Sequence, residues 1–84
     1  MKVTYYGADW CGDCRRSKRL LQEHGVQFDE LDIMRQPELA EEVIELNIKA
    51  GHGPRRRIPV ILVGDRILSE PSNDELADAL GLSL

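Results

Sequence analysis

This 84-residue sequence predicts a single α/β domain over residues 1–84, in the order β-α-β-α-β-β-α. Three observations carry that expectation. Short β-prone runs alternate with stretches of helical period through the first half of the chain. A hairpin signal, Gly64-Asp65, divides two further β-prone runs. A Ser-x-x-Glu pattern, Ser72 to Glu75, opens a final helix as a capping box. Two parallel strands joined by a right-handed helical crossover, then an antiparallel hairpin, give one four-stranded mixed sheet flanked by three helices on its two faces.

Val3-Thr4-Tyr5-Tyr6 is β-prone on both faces, as an interior strand would be. Gly7-Ala8-Asp9 is expected to turn the chain towards the first helix, which runs from about Cys11 to His24 and stops at Gly25. Val26 to Ile33 reads as the second strand, with imperfect alternation. Pro37 suits the first position of the second helix, with Glu38, Glu41 and Glu42 near its positive end. Leu39, Val43, Ile44 and Leu46 give that helix its apolar stripe. Ala50-Gly51-His52-Gly53-Pro54 is a loop. Ile58 to Val63 leads into the third strand, and Arg66-Ile67-Leu68 forms a short fourth one. Leu76, Ala79 and Leu80 face the core from the last helix.

Composition narrows the function. Apolar residues make up 42% of the chain, enough for one small core, and no tract is low in complexity. A net charge of -4 argues against general nucleic-acid binding, which needs a basic surface. No apolar run is long enough to span a bilayer, so no membrane association is expected. The first residues go directly into a strand pattern and lack a secretory h-region, so the expected location is the cytoplasm. A monomer is expected.

Cys11 and Cys14 are the only cysteines, spaced C-x-x-C as Cys11-Gly12-Asp13-Cys14. In a reducing compartment such a pair points to catalysis or metal binding, not to a structural disulfide. The pair opens a basic helical segment, Arg15 to Leu21. Free N–H groups at a helix start stabilise an anion, and the thiolate is the species that attacks disulfides. Cys11, nearer the helix start and shielded by Trp10, is expected to be the nucleophile. Arg15, Arg16 and Lys18 favour its anion, while Asp9 and Asp13 oppose it. Cys14 is expected to lie deeper and to resolve the mixed disulfide that forms on Cys11. A structural zinc site usually needs four ligands. Only His24 and His52 could complete one here, and they do not form a spaced pair.

Ile58-Pro59 is the second informative element. A proline at a strand start is either a cis residue of a functional turn or a trans residue that opens an edge strand, and the residues alone leave both open. If cis, it would turn the Ile58 backbone N–H and C=O towards Cys11, where they could pair with an extended substrate. In the basic run Arg55-Arg56-Arg57, Arg57 is the best placed to meet a carboxylate. Ser72-Asn73-Asp74, at the start of the last helix, offers free N–H groups to a carboxylate as well as ordinary capping.

Taken together, Val3-Thr4-Tyr5-Tyr6, Trp10-Cys11-Gly12-Asp13-Cys14, Ile58-Pro59 and Asn73-Asp74-Glu75-Leu76 resemble the glutaredoxin family, within the thioredoxin-like fold. Within that family the chain looks most like the mycoredoxins, on Trp10 to Cys14 and on Glu70-Pro71-Ser72-x-Asp74-Glu75. Gly12-Asp13 stands where many glutaredoxins have Pro-Tyr, and Pro71-Ser72 where they have Gly-Gly. The resemblance implies a cis Ile58–Pro59 bond. It also implies reduction of protein disulfides, or of mixed disulfides with a low-molecular-weight thiol. In that reading Cys11 attacks, and Trp10, Arg57, Ile58, Pro59, Ser72, Asn73 and Asp74 hold the substrate. No metal or organic cofactor is implied. A small thiol, mycothiol or glutathione, serves as co-substrate, and the departures favour mycothiol. Two alternatives differ in kind: a thioredoxin-like protein disulfide reductase recharged by a flavin reductase, and a non-enzymatic metal or iron–sulfur carrier using Cys11 with an external thiol.

Overall fold

The computed structural model describes residues 1–84 and has the predicted element order. The strands are β1 (Val3–Gly7), β2 (Asp29–Asp32), β3 (Val60–Val63) and β4 (Arg66–Ser69), and the helices are α1 (Gly12–Glu23), α2 (Leu39–Lys49) and α3 (Asn73–Leu80). The four strands form one sheet in the order β2-β1-β3-β4. β1 pairs parallel with β2 and antiparallel with β3, and β3 pairs antiparallel with β4. The positive φ in the β3–β4 turn is confined to Gly64 at +58°, where a side chain would be strained, as in a type II′ hairpin.

β1 is central, and successive side chains reach opposite helical layers. Tyr5 contacts α1 through Cys14, whereas the hydroxyl of Tyr6 lies near Glu42 of α2. α1 packs with α3, and α2 covers β3 and β4. Val3, Tyr5, Leu21, Val43, Val60, Ile61 and Leu76 lie in the core between these layers.

Four boundaries differ from the sequence expectation, each for a local reason. Gly7 is the last residue of β1 and not the start of the turn, because it pairs with Asp32 and its carbonyl accepts the Ile33 N–H at 3.1 Å. β2 begins at Asp29 and not at Val26, because α1 claims the Val26 N–H for its own termination. Gly25 N–H donates to Gln22 O (3.2 Å) and Val26 N–H to Leu21 O (2.9 Å), the paired bonds of a Schellman motif. β2 ends where the Asp32 carboxylate accepts the Met34 N–H at 2.8 Å, an Asx turn. α2 begins at Leu39, with Glu38 as N-cap, so Pro37 precedes the helix and does not occupy its first position. Leu39 N–H to Gln36 O (2.9 Å) and Ala40 N–H to Pro37 O (3.0 Å) form a tighter turn that feeds into it.

Candidate active site

Cys11 is the N-cap of α1, in extended conformation. Its Sγ accepts the Cys14 N–H at 3.2 Å, so one of the orphan donors of the helix start points at this sulfur. Charge developing on Sγ meets that dipole directly. On the other side the Cys11 thiol faces the Ile58 carbonyl oxygen at 3.8 Å. The Ile58–Pro59 bond is cis.

Cys14 lies one turn into α1, fully buried, while Cys11 is partly exposed and both are free thiols. Burial, reinforced by the neighbouring Cys11, pushes the Cys14 thiol up to about 12. In the resting dithiol Cys14 is therefore protonated at neutral pH. The arrangement sets one accessible sulfur at a helix start above a second sulfur held as a buried thiol.

The basic side chains near the pair are tethered. Arg15 donates to the Asp9 carbonyl at 2.7 Å. Lys18 pairs with Glu30 of β2 at 2.6 Å. Arg16 bridges to the start of α3, donating to Asn73 Oδ1 (2.7 Å) and to the Pro71 carbonyl (3.1 Å).

Trp10 is exposed, at 66%, and stands beside Cys11. With Ile33, Met34, Pro37, Val43 and Ile58 it lines an apolar groove of about 500 Å³. The Ile58 N–H has no acceptor within the chain. Arg57 is less free than its sequence position implies. Its Nε donates to Glu70 Oε1 at 2.6 Å, and its Nη1 lies 3.0 Å from His52 Nδ1. Ser72 is the N-cap of α3 in a complete capping box. The Glu75 N–H donates to Ser72 Oγ (3.1 Å), and the Ser72 N–H donates to Glu75 Oε1 (2.9 Å). Asn73 and Asp74 follow at the exposed start of α3, with backbone N–H groups that have no acceptor within the chain. Pro71 before them is fully buried.

One residue that shapes this site was not singled out from the sequence. Asn47, fully buried on α2, donates through Nδ2 to the Arg55 carbonyl (2.8 Å) and the Arg57 carbonyl (3.1 Å). Its Oδ1 accepts from Ser69 Oγ at 2.5 Å. It ties the loop that ends at Ile58 to α2 and β4. The available signal was its spacing, four residues after Val43 on the buried stripe.

No group of three or more His, Cys, Asp or Glu side chains gathers as a metal site. No helix is long and apolar enough to cross a membrane.

Comparison with known proteins agrees with this geometry. The chain is 39% identical over 75 residues to the glutaredoxin-like protein NrdH of Lactococcus lactis subsp. lactis (strain IL1403), covering 89% of this chain and 94% of that protein. It is 35% identical over 75 residues to a candidate glutaredoxin of Mycobacterium tuberculosis (strain H37Rv), covering 88% of this chain and 83% of that one. Its fold matches the NrdH-redoxin of Escherichia coli, a glutaredoxin-like protein whose structure was reported as the basis of its thioredoxin-like activity profile. The TM-score is 0.72 at 28% identity, over 93% of both chains. The glutaredoxin family model matches residues 3–68, a span that takes in both cysteines and the Ile58–Pro59 turn. With its four-stranded sheet, its helix-capping Cys11 and its buried Cys14, this chain belongs to the glutaredoxin family.

Proposed function

We propose that the protein is a thiol–disulfide oxidoreductase that works by exchange between Cys11, Cys14 and a bound disulfide. The observation that carries this reading is the asymmetry of the pair. Cys11 Sγ is accessible and receives the Cys14 N–H, while the Cys14 thiol is buried and protonated. The Cys11 thiolate attacks one sulfur of the substrate disulfide, and the other leaves with the bonding electron pair. Cys14 then attacks Cys11 Sγ, closing the Cys11–Cys14 disulfide and releasing the reduced substrate. The free Ile58 N–H suits an extended substrate backbone, and the groove beside Trp10 suits its apolar side chains.

In the reading favoured here a small thiol, mycothiol in preference to glutathione, recharges the enzyme. Support comes from the mycoredoxin-like residues around Cys11 and before α3. Pro71 fills the place where two glycines would let a substrate backbone approach. The Ser72 hydroxyl still has a proton to donate to a hydroxyl-rich ligand, and the free N–H groups of Asn73 and Asp74 can receive a carboxylate. No metal or organic cofactor enters the proposed cycle, and its free dithiol suits a reducing compartment such as the cytoplasm.

A second reading has its own observation. Arg57 is engaged by Glu70 and His52, so a small-thiol carboxylate would have to displace an ion pair, whereas the exposed Trp10 rim suits a protein surface. It makes the protein a disulfide reductase recharged by a flavin reductase, in line with the similarity to NrdH proteins. The deciding experiment is a coupled turnover assay with three reducing systems: mycothiol with its reductase, glutathione with its reductase, and thioredoxin reductase alone. Fastest turnover with mycothiol is expected. Equal or better turnover with glutathione removes the preference, and fastest turnover with thioredoxin reductase alone replaces it with the second reading.

A further inference from the structure

We propose that Glu70 is a specificity-determining residue: its carboxylate occupies the Arg57 guanidinium and so selects against small thiols that carry carboxylates. The inference deepens the oxidoreductase reading and rests on it. Arg57 precedes Ile58, whose carbonyl oxygen lies 3.8 Å from Cys11 Sγ. Glu70 is tied to the same turn from the other side, because its N–H donates to the Pro59 carbonyl at 2.8 Å. The ion pair therefore sits beside the Ile58–Pro59 turn, and the carboxylate that Arg57 meets is one of the chain's own.

A guanidinium grips a carboxylate with two parallel N–H bonds, from its Nε–Nη2 edge or its Nη1–Nη2 edge. Here each edge has lost one donor. Nε donates to Glu70 Oε1 at 2.6 Å, and Nη1 donates to His52 Nδ1 at 3.0 Å. Only Nη2 has no acceptor within the chain. An incoming carboxylate meets a single free donor, next to a charge of its own sign. A hydroxyl-rich thiol without a carboxylate needs only that one donor and meets no repulsion.

The pair is not required to build the loop. Asn47 already holds the Arg57 carbonyl, at 3.1 Å, and the Glu70 backbone has its own bond to Pro59. The side chain of Glu70 is in fact costly where it stands. Its φ of +47° is in the left-handed region, where a Cβ is strained and glycine is not. Pro71 follows it and restricts that backbone further. Glycine here would relieve the strain and leave Arg57 open to a substrate carboxylate. The chain instead carries a carboxylate whose one hydrogen-bond partner is Arg57. The Arg57 and Glu70 side chains are 34% and 32% exposed, so the pair is within reach of a ligand and not sealed in the core.

The test is the rate at which Cys11 takes up a matched pair of disulfides in the Cys14→Ser background, where the adduct is trapped. The probes are glutathione disulfide and the same disulfide with its carboxylates esterified, each followed by the mass of the intact protein. In both reactions the Cys11 thiolate bonds to one sulfur, and the other leaves with the electron pair and takes up a proton. Glu70→Gln keeps the side-chain shape and removes its charge. It should raise the rate ratio, carboxylate form over ester, about three- to fivefold, the scale of a partly exposed ion pair. Adding Arg57→Met should cancel that gain. Glu41 lines the groove beside Trp10, and Glu41→Gln removes the same charge without touching Arg57. Its ratio should change less than about twofold, because solvent screens a charge that makes no direct contact. An unchanged ratio in Glu70→Gln, a gain that survives Arg57→Met, or an equal gain in Glu41→Gln overturns the assignment of Glu70 alone. No adduct with either disulfide in the Cys14→Ser protein overturns the oxidoreductase reading and this assignment with it.

Discussion

Asn47→Leu is the substitution whose consequence is best defined by this structure. The two side chains share a branched shape of four heavy atoms, with Leu the bulkier, so the change removes the polar contacts and adds some crowding. It strands three groups: the Arg55 carbonyl, the Arg57 carbonyl and the Ser69 hydroxyl. Arg55 is exposed, and its carbonyl can turn to water. Arg57 and Ser69 are half-buried, and their groups lose partners that water replaces only in part. At about 1–3 kcal/mol for each buried group left unpaired, with one of the three rehydrated, the expected loss is about 2–3 kcal/mol. For a domain of this size that lowers the melting temperature by about 10–20 °C. The second consequence is functional. The loop released from Asn47 ends at Ile58, whose carbonyl faces Cys11. KM for a protein disulfide should therefore rise several-fold, while attack by Cys11 on a small disulfide changes less. Thermal denaturation of the reduced protein and steady-state turnover on the two substrates read both effects. A melting temperature within about 2 °C of the parent, with KM unchanged, would refute the reasoning.

Two further outcomes are expected. The Cys14 thiol is raised on folding, so its contribution to stability is intact below the unfolded thiol range and is lost as pH rises from 9.0 towards about 12. The reduced protein should thus lose stability across that alkaline window, and Cys14→Ser should lose less of it, as read by denaturant midpoints at each pH. Arg16→Ala removes the bonds to Asn73 and the Pro71 carbonyl that pin α3 to α1. It should cost about 1 kcal/mol, read as a lower urea midpoint with an unchanged slope.

The parts of this molecule that are local in sequence were readable from it. The hairpin at Gly64-Asp65, the capping box from Ser72 to Glu75 and the Cys11–Cys14 spacing are each set by a few neighbouring residues, and each stands as expected. What escaped is non-local. Arg57 reads as a free cation in a basic loop until the fold brings Glu70 and His52 to it. Arg16 reads as a charge near Cys11, yet its partners lie far along the chain at the start of α3. Asn47 and Ser17 are polar residues that hydropathy places at the surface, and both are fully buried. Asn47 is buried because loop carbonyls and Ser69 converge on it, whereas the Ser17 hydroxyl has no partner, and nothing in the structure explains its burial. The contact of Tyr5 with α1 was hidden for another reason. β1 is apolar on both faces, so its sequence does not say which tyrosine meets the cysteine helix.

The division of labour between the two cysteines is the central claim, and trapping tests it most directly. Cys14→Ser and Cys11→Ser are each incubated with a small-thiol disulfide near neutral pH, and the intact proteins are weighed by mass spectrometry. Cys14→Ser should carry one stable adduct, mapped to Cys11, and Cys11→Ser should stay unmodified on the same timescale. An unmodified Cys14→Ser protein, or rapid adduct formation on Cys14 in Cys11→Ser, would contradict the account.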